Sequence, residues 1–200
     1  MLTIKGKPLY GLLHERLSLV FKNVIFLTST SETDDAYCSL LEASGINFYR
    51  GNLESTLIRT YEYLSNKDIK SFYRVCGDSP FYPIDIVRNV EWIVKKRAYE
   101  TQIITNVYPK RKWPKGWSIE RIPTNLIKYA VEEGNTTIED NEHLTPWLYS
   151  NSYKYNVHII SVKEPNINLN SIRLVIDTQD DYSAVKELPM YLIDPKEYLE

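Results

Sequence analysis

Between Ser71 and Pro83 the chain reads Ser-Phe-Tyr-Arg-Val-Cys-Gly-Asp-Ser-Pro-Phe-Tyr-Pro. The apolar and β-branched run from Phe72 to Cys76 predicts a short buried strand. That strand cannot continue through Gly77, Asp78, Ser79 and Pro80. Pro80 has no N–H for a ladder, and Gly77 permits backbone angles that other residues resist. Beyond Pro83, Ile86, Val87, Val90, Ile93 and Val94 recur at helical spacing, with Lys95, Lys96 and Arg97 near the helix end. A strand, a tight turn and a helix place Asp78 just past the carboxyl end of the strand. In open α/β sheets that is the edge at which ligands bind. Asp78 either caps the turn or the helix, or presents its carboxylate to a ligand.

Two hundred residues suit one domain with a sizeable core, 1–200, with room for a small inserted lobe. Hydrophobic residues at 43% and charged residues at 25% are ordinary for a globular chain. A net charge of −2 argues against nucleic acid as a partner. No apolar run reaches membrane-spanning length and the start lacks a signal-peptide core, so no membrane insertion is expected. Cys38 and Cys76 have no metal-type spacing, and Cys76 sits in the predicted strand; a reducing, cytoplasmic setting is expected.

Leu9, Leu12, Leu13, Leu17 and Val20 predict a first helix after the loop Gly6-Lys7-Pro8. A strand follows at Val24 to Thr28, and a helix from Asp34-Asp35 to Gly45, with Ser29 to Thr33 supplying caps. Next come a strand at Ile46 to Arg50, a helix carrying Leu53, Leu57, Tyr61 and Leu64, the organising strand and helix, and a strand at Gln102 to Thr105. This alternation predicts a mostly parallel sheet with helices on both faces. The rhythm then changes. Trp117 to Ile122 alternates like a half-exposed strand, Leu126 to Glu133 reads as a helix, and Trp147 starts an aromatic one. Tyr155 to Val162 and Ile172 to Ile176 read as strands, the second buried and ending at Asp177-Thr178.

Asp78 and Asp177 stand in matching contexts, each after an apolar strand and before a turn into a helix. Two strands of one parallel sheet end on the same side, so the carboxylates can converge. Mg²⁺ is typically held by one or two carboxylates with phosphate oxygens and water, an arrangement suited to phosphoryl or nucleotidyl transfer. The competing reading makes Asp177-Thr178 and Gln179-Asp-Asp181 a plain helix cap. The basic run Lys110, Arg111, Lys112 and Lys115, interleaved with Trp113 and Trp117, either binds a phosphate or sugar acid or is a solvated loop. His143, among acidic neighbours, is either catalytic or a structural hydrogen-bonder.

Gly6-Lys7-Pro8-Leu9, the helix with Glu15-Arg16-Leu17, Arg50-Gly51, Arg74-Val-Cys-Gly-Asp-Ser-Pro80, Glu142-His-Leu-Thr-Pro146 and Leu174-Val-Ile-Asp-Thr178 occur in the order of one family. The chain resembles the cytidylyltransferases of sugar-acid activation, most closely the spore coat polysaccharide type. That type is similar to the acylneuraminate and deoxyoctulosonate cytidylyltransferases. The resemblance covers nearly the whole chain. It implies Asp78 and Asp177 as Mg²⁺ carboxylates, with Asp78 and Lys115 catalytic. It places Arg50, Arg74, Gly77, Pro80, Gly116 and Glu120 around the nucleotide and sugar pocket, and His143 beside the sugar. The chain departs from the family pattern in having Ser79 for a Cys and Ser118 for an acidic residue in the Gly-x-Asp-x-Glu run. It also begins at Met1-Leu-Thr-Ile-Lys5, where the family has already passed its first strand and phosphate-gripping loop.

The expected fold is therefore an α/β three-layer sandwich, predominantly parallel, like the nucleotide-diphospho-sugar transferases. A small β-rich extension over 106–165 is expected to cover the sugar site and to pair two subunits as a homodimer. The expected reaction joins CTP and a sugar or sugar acid into a CMP-sugar and pyrophosphate. The alternative is a binding or scaffold homologue without catalysis, given the missing loop. The absent strand is expected to belong between those at Val24 to Thr28 and Phe72 to Cys76, leaving ladder groups unpaired and CTP binding weak.

Overall fold

A computed structural model of the chain describes residues 2–111, 113–163 and 172–188. A short hairpin, β1 (Thr3–Ile4) and β2 (Lys7–Pro8), opens onto α1 (Leu9–Ser18). Strands and helices then alternate: β3 (Phe26–Ser29), α2 (Asp35–Ala43), β4 (Phe48–Gly51), α3 (Thr56–Leu64), β5 (Ser71–Tyr73) and α4 (Ile84–Arg97). The second half contains β6 (Ile103–Thr105), β7 (Glu120–Pro123), α5 (Thr124–Glu133), α6 (Ile138–His143), α7 (Thr145–Asn151), β8 (Ile159–Ser161) and α8 (Gln179–Glu187).

The strands form two main sheets rather than one. β3 and β4 pair in parallel, Phe26 opposite Phe48 through Ser29 opposite Gly51. The other sheet has the order β5-β7-β6-β8. In it β8 runs parallel to β6, but β7 is antiparallel to both its neighbours. The sheet is therefore mixed, where alternation predicted mostly parallel pairing. Among the described residues no crossover helix separates β6 from β7, and a connection without one delivers its strand antiparallel. β7 also corrects the half-exposed reading of Trp117 to Ile122. It lies inside the sheet, and all four of its residues are buried. Among the described residues, neither the edge of β3 away from β4 nor the edge of β5 away from β7 has a ladder partner.

Consecutive strand residues face opposite ways, and this divides the core. Ile104 joins Leu13 and Leu17 of α1, Val87, Val90 and Val94 of α4, and Val185 of α8 on one face. Ile103 and Ile122 join Leu57 and Leu64 of α3, Leu126 and Ile127 of α5, and Leu148 of α7 on the other. Helices, sheet and helices make the three layers. Among the described residues no helix is long and apolar enough to cross a membrane.

The end of β3 is tied by Asp34. One carboxylate oxygen accepts from the Thr28 hydroxyl at 2.6 Å, the Ser29 hydroxyl at 2.6 Å and the Ser29 N–H at 2.9 Å. Those bonds, Ser29's and then Thr28's, hold the Asp34 carboxyl below its ordinary range. Asp34→Ala leaves donors on the buried Ser29 unpaired and is expected to cost about 2 kcal/mol, roughly 4–8 °C in melting temperature. A lowered folded-state value means that this stabilisation is complete above the ordinary carboxylate range. It is lost as pH falls through the folded value. Acid titration of melting temperature should therefore separate wild type from variant at neutral pH and bring them together in strong acid.

Candidate active site at the strand ends

Asp78 and Asp177 are brought together by backbone pairing. The Ile176 N–H donates to the Asp78 carbonyl at 2.9 Å, joining the turn after β5 to the buried segment Leu174, Val175 and Ile176. The two carboxyl groups lie within hydrogen-bonding reach of each other. Burial, and then the neighbouring Asp177, push Asp78 above the ordinary carboxylate value, while a bond from the Ser79 hydroxyl at 2.8 Å pulls it partly back. Asp177 accepts from Arg173 Nη2 at 2.5 Å.

The helix cap that the sequence left open at 177–181 is present, made by Thr178 and Asp181 rather than by the Asp177 side chain, and Asp78 caps no helix. α4 starts at Ile84 behind Pro83, six residues beyond Asp78. α8 is capped by Thr178, whose hydroxyl accepts from the Asp181 N–H while the Asp181 carboxylate accepts from the Thr178 N–H. The two aspartates are left as a convergent pair. Among the described residues no three-residue cluster of His, Cys, Asp or Glu suits a metal. The pair is an all-oxygen donor set, and it fits a hard cation whose remaining ligands come from phosphate and water. Burial pushes the Cys76 thiol above its ordinary value.

Beside the pair lies a polar network that crosses the sheet. Arg74 Nη1 donates to Glu120 Oε2 at 2.8 Å, and Glu120 is 2% exposed. The Tyr149 hydroxyl donates to Glu120 Oε1 at 2.5 Å. Thr105 Oγ1 lies 3.0 Å from the Tyr149 hydroxyl, which it can reach as donor, and itself accepts from the Val107 N–H at 3.1 Å. Each of these groups is thus matched, which fixes the network in a low-dielectric setting. Tyr108 stacks on Tyr149 with centroids 4.6 Å apart. Tyr82, 1% exposed, points a hydroxyl without a hydrogen-bond partner among the described residues into the same electrostatic neighbourhood as Glu120, Cys76 and Arg74.

The other residues predicted for the site fall in different places. Lys115 pairs by backbone with the segment leading to Asp177, its carbonyl accepting from the Leu174 N–H at 2.8 Å; its side chain is exposed. Gly116 has φ +98°, and a Cβ there would lie 2.5 Å from the Leu174 carbonyl oxygen. Gly77 corrects the backbone-angle expectation. Its φ is not in the left-handed region, and the space a Cβ would take is open. Pro80 is buried in the turn. Arg50 is committed at the β3 end, bonding Asp35 at 2.7 Å and the carbonyls of Ser29 and Ser31 at 2.9 and 2.8 Å. His143 is exposed at the end of α6, on the layer containing α3. Lys112 and the end of the 106–165 extension lie outside the described residues. Sequence reasoning missed Tyr149, Thr105 and Tyr82; nothing in their spacing signals a shared site.

The spore coat polysaccharide biosynthesis protein SpsF of Bacillus subtilis is 24% identical over 166 residues, which is 83% of this chain and 66% of that protein. The chain thus spans just under two thirds of SpsF. A cytidylyltransferase structure from Leptospira borgpetersenii superposes with a TM-score of 0.81 at 22% identity, covering 95% of this chain and 79% of that one. The CMP:2-keto-3-deoxy-manno-octonic acid synthetase complexed with CTP gives 0.62 at 14% identity, covering 92% and 88%. These structural likenesses speak for the shared α/β fold. The sequence profile described as cytidylyltransferase matches residues 1–199, and the chain belongs to that family.

Proposed function

We propose that the protein transfers CMP from CTP to a hydroxyl of a sugar or sugar acid. The acceptor oxygen forms a bond to the α-phosphorus, the bond to the β-phosphate bridge breaks, pyrophosphate leaves, and the hydroxyl proton passes to solvent. The observation that carries this reading is the Asp78–Asp177 pair at adjoining segment ends, beside the Arg74–Glu120–Tyr149 network. Asp78 and Asp177 would hold Mg²⁺. The ion would supply charge neutralisation on the transferred phosphate. Glu120 holds the Arg74 and Tyr149 side chains in place on the acceptor side, and alignment by fixed groups of this kind contributes much of the rate in such transfers. The exposed Lys115 side chain has the freedom to reach toward the triphosphate. The 106–165 extension supplies Arg111, Ser118, Glu120 and Tyr149 to the acceptor side, and its pairing of two subunits belongs to the same proposal.

The test is pyrophosphate release from each of the four ribonucleoside triphosphates with a panel of sugars and sugar acids, with Mg²⁺ and with chelator. The expected result is Mg²⁺-dependent release with CTP and one acceptor class. CTP binding without release in any combination would favour a binding protein that keeps the fold.

A further inference from the structure

We infer that Arg173 and Asp181 tune the affinity of the Asp78–Asp177 pair for its divalent cation: Arg173 competes for the Asp177 carboxylate, and Asp181 holds Arg173 so that Asp177 can be given up. The inference rests on the transfer reading above, in which the pair holds the ion. It adds the two residues that decide how readily the pair does so.

Arg173 grips Asp181 with two bonds, Nε to Oδ1 at 2.5 Å and Nη2 to Oδ2 at 3.1 Å. Asp177 receives one bond, from the same Nη2 to its Oδ2 at 2.5 Å. The two-pronged contact is the stronger geometry for a guanidinium. Asp181 is fixed from another side as well, since its Oδ2 accepts from the Asp177 and Thr178 N–H groups at 3.1 Å each. These bonds, that from Arg173 first, hold the Asp181 carboxyl well below the usual carboxylate range. The Asp181 side chain is 12% exposed, against 48% for Asp177. Asp177 can therefore turn away while the guanidinium keeps a carboxylate partner. An ion pair so exposed is weak, and Arg173 yields it to a cation of twice its charge.

Among the described residues Arg173 is the one cation in ion-pair contact with Asp177. Arg74 attracts Asp78 from a distance, but its Nη1 is committed to Glu120. Lys115 stands opposite Arg173 in the backbone pairing, with its side chain exposed. Arg173 is thus the group that contests the carboxylate. A partner that only oriented Asp177 would add to metal affinity, and its removal would cost roughly 10- to 100-fold. The two roles differ in sign.

The experiment titrates the protein with Mn²⁺ alone, a hard ion that takes the same oxygen ligands, and reads the free ion by paramagnetic resonance at fixed pH and salt. Arg173→Gln and Arg173→Ala remove the competitor and should each tighten Mn²⁺ roughly 3- to 10-fold. Asp181→Asn keeps an oxygen for the Thr178 N–H but leaves Asp177 as the guanidinium's remaining carboxylate, and should weaken Mn²⁺. In the Arg173→Gln background Asp181→Asn should do much less, because the competitor it restrains is gone. Unchanged or weaker binding in the folded Arg173 variants overturns the inference. So does equal weakening by Asp181→Asn in both backgrounds, which would make Asp181 a distant charge. Loss of cooperative melting in both Arg173 variants makes Arg173 structural and overturns it too. Asp78→Asn separates these results from the transfer reading. Mn²⁺ binding that is lost in Asp78→Asn leaves the metal pair standing whatever the other variants do. Binding undiminished in Asp78→Asn, or none by wild type, removes the metal pair and the inference with it.

Discussion

Asp78→Asn is expected to abolish CMP transfer and, at the same time, to raise the melting temperature of the metal-free protein. Asn keeps the acceptor for the Ser79 hydroxyl and adds an N–H that can donate to Asp177, so the turn retains its bonds. It also removes one of two like charges in contact. Allowing for solvent screening, the gain is about 1 kcal/mol, or roughly 2–4 °C. On the proposed role of Asp78 in holding Mg²⁺, activity should fall by at least about 10³-fold, since the ion would act on charge present only in transfer. Chelator should lower the melting temperature of neither protein, and Mg²⁺ should raise that of wild type alone. A variant that transfers CMP at near wild-type rate would place the metal elsewhere. One that is inactive because it is unfolded would make Asp78 a structural residue.

The second large effect is expected at Gly116. Its φ of +98° is strained for any L-residue with a side chain, and a Cβ would stand 2.5 Å from the Leu174 oxygen and 2.6 Å from its carbonyl carbon. Those atoms belong to the backbone that carries the chain to Asp177, so no side chain can swing aside. Gly116→Ala should push residues 174–177 away from Lys115, costing about 3–5 kcal/mol and separating the carboxylates. The melting temperature should fall by roughly 6–20 °C, and transfer should be lost with it. Gly77→Ala is the internal comparison. No atom lies within 4 Å of its added Cβ, and its φ is ordinary. It should melt within about 2 °C of wild type, the cost of an uncrowded surface substitution. Equal melting of the two variants would show that the close approach at Gly116 is relieved at little cost.

Local chemistry in the chain was enough to set the alternation of helices and strands from α1 to β6 and to single out two aspartates, but the strand read at Ile172 to Ile176 is only an isolated bridge at Arg173. The strand expected over Phe72 to Cys76 stops at Tyr73, before Gly77 and Pro80 are reached, while the spacing of Ile86, Val87, Val90 and Val94 gave α4 one buried face. Thr178 with Asp181 and Thr137 with Asp140 are caps that depend on residues three apart, which a sequence displays directly. Pairing between distant segments is not displayed in that way. Only the tertiary structure decided that β7 enters the sheet antiparallel, which turns Glu120 inward to meet Arg74, 46 residues earlier, and Tyr149, 29 residues later. The same holds for Arg50 and Arg111, which are alike in sequence. One is neutralised by Asp35, and the other faces a serine. Whether a charge is structural or available to a ligand depends on which counter-charge lies within a few ångströms. That distance is set by packing of the whole chain.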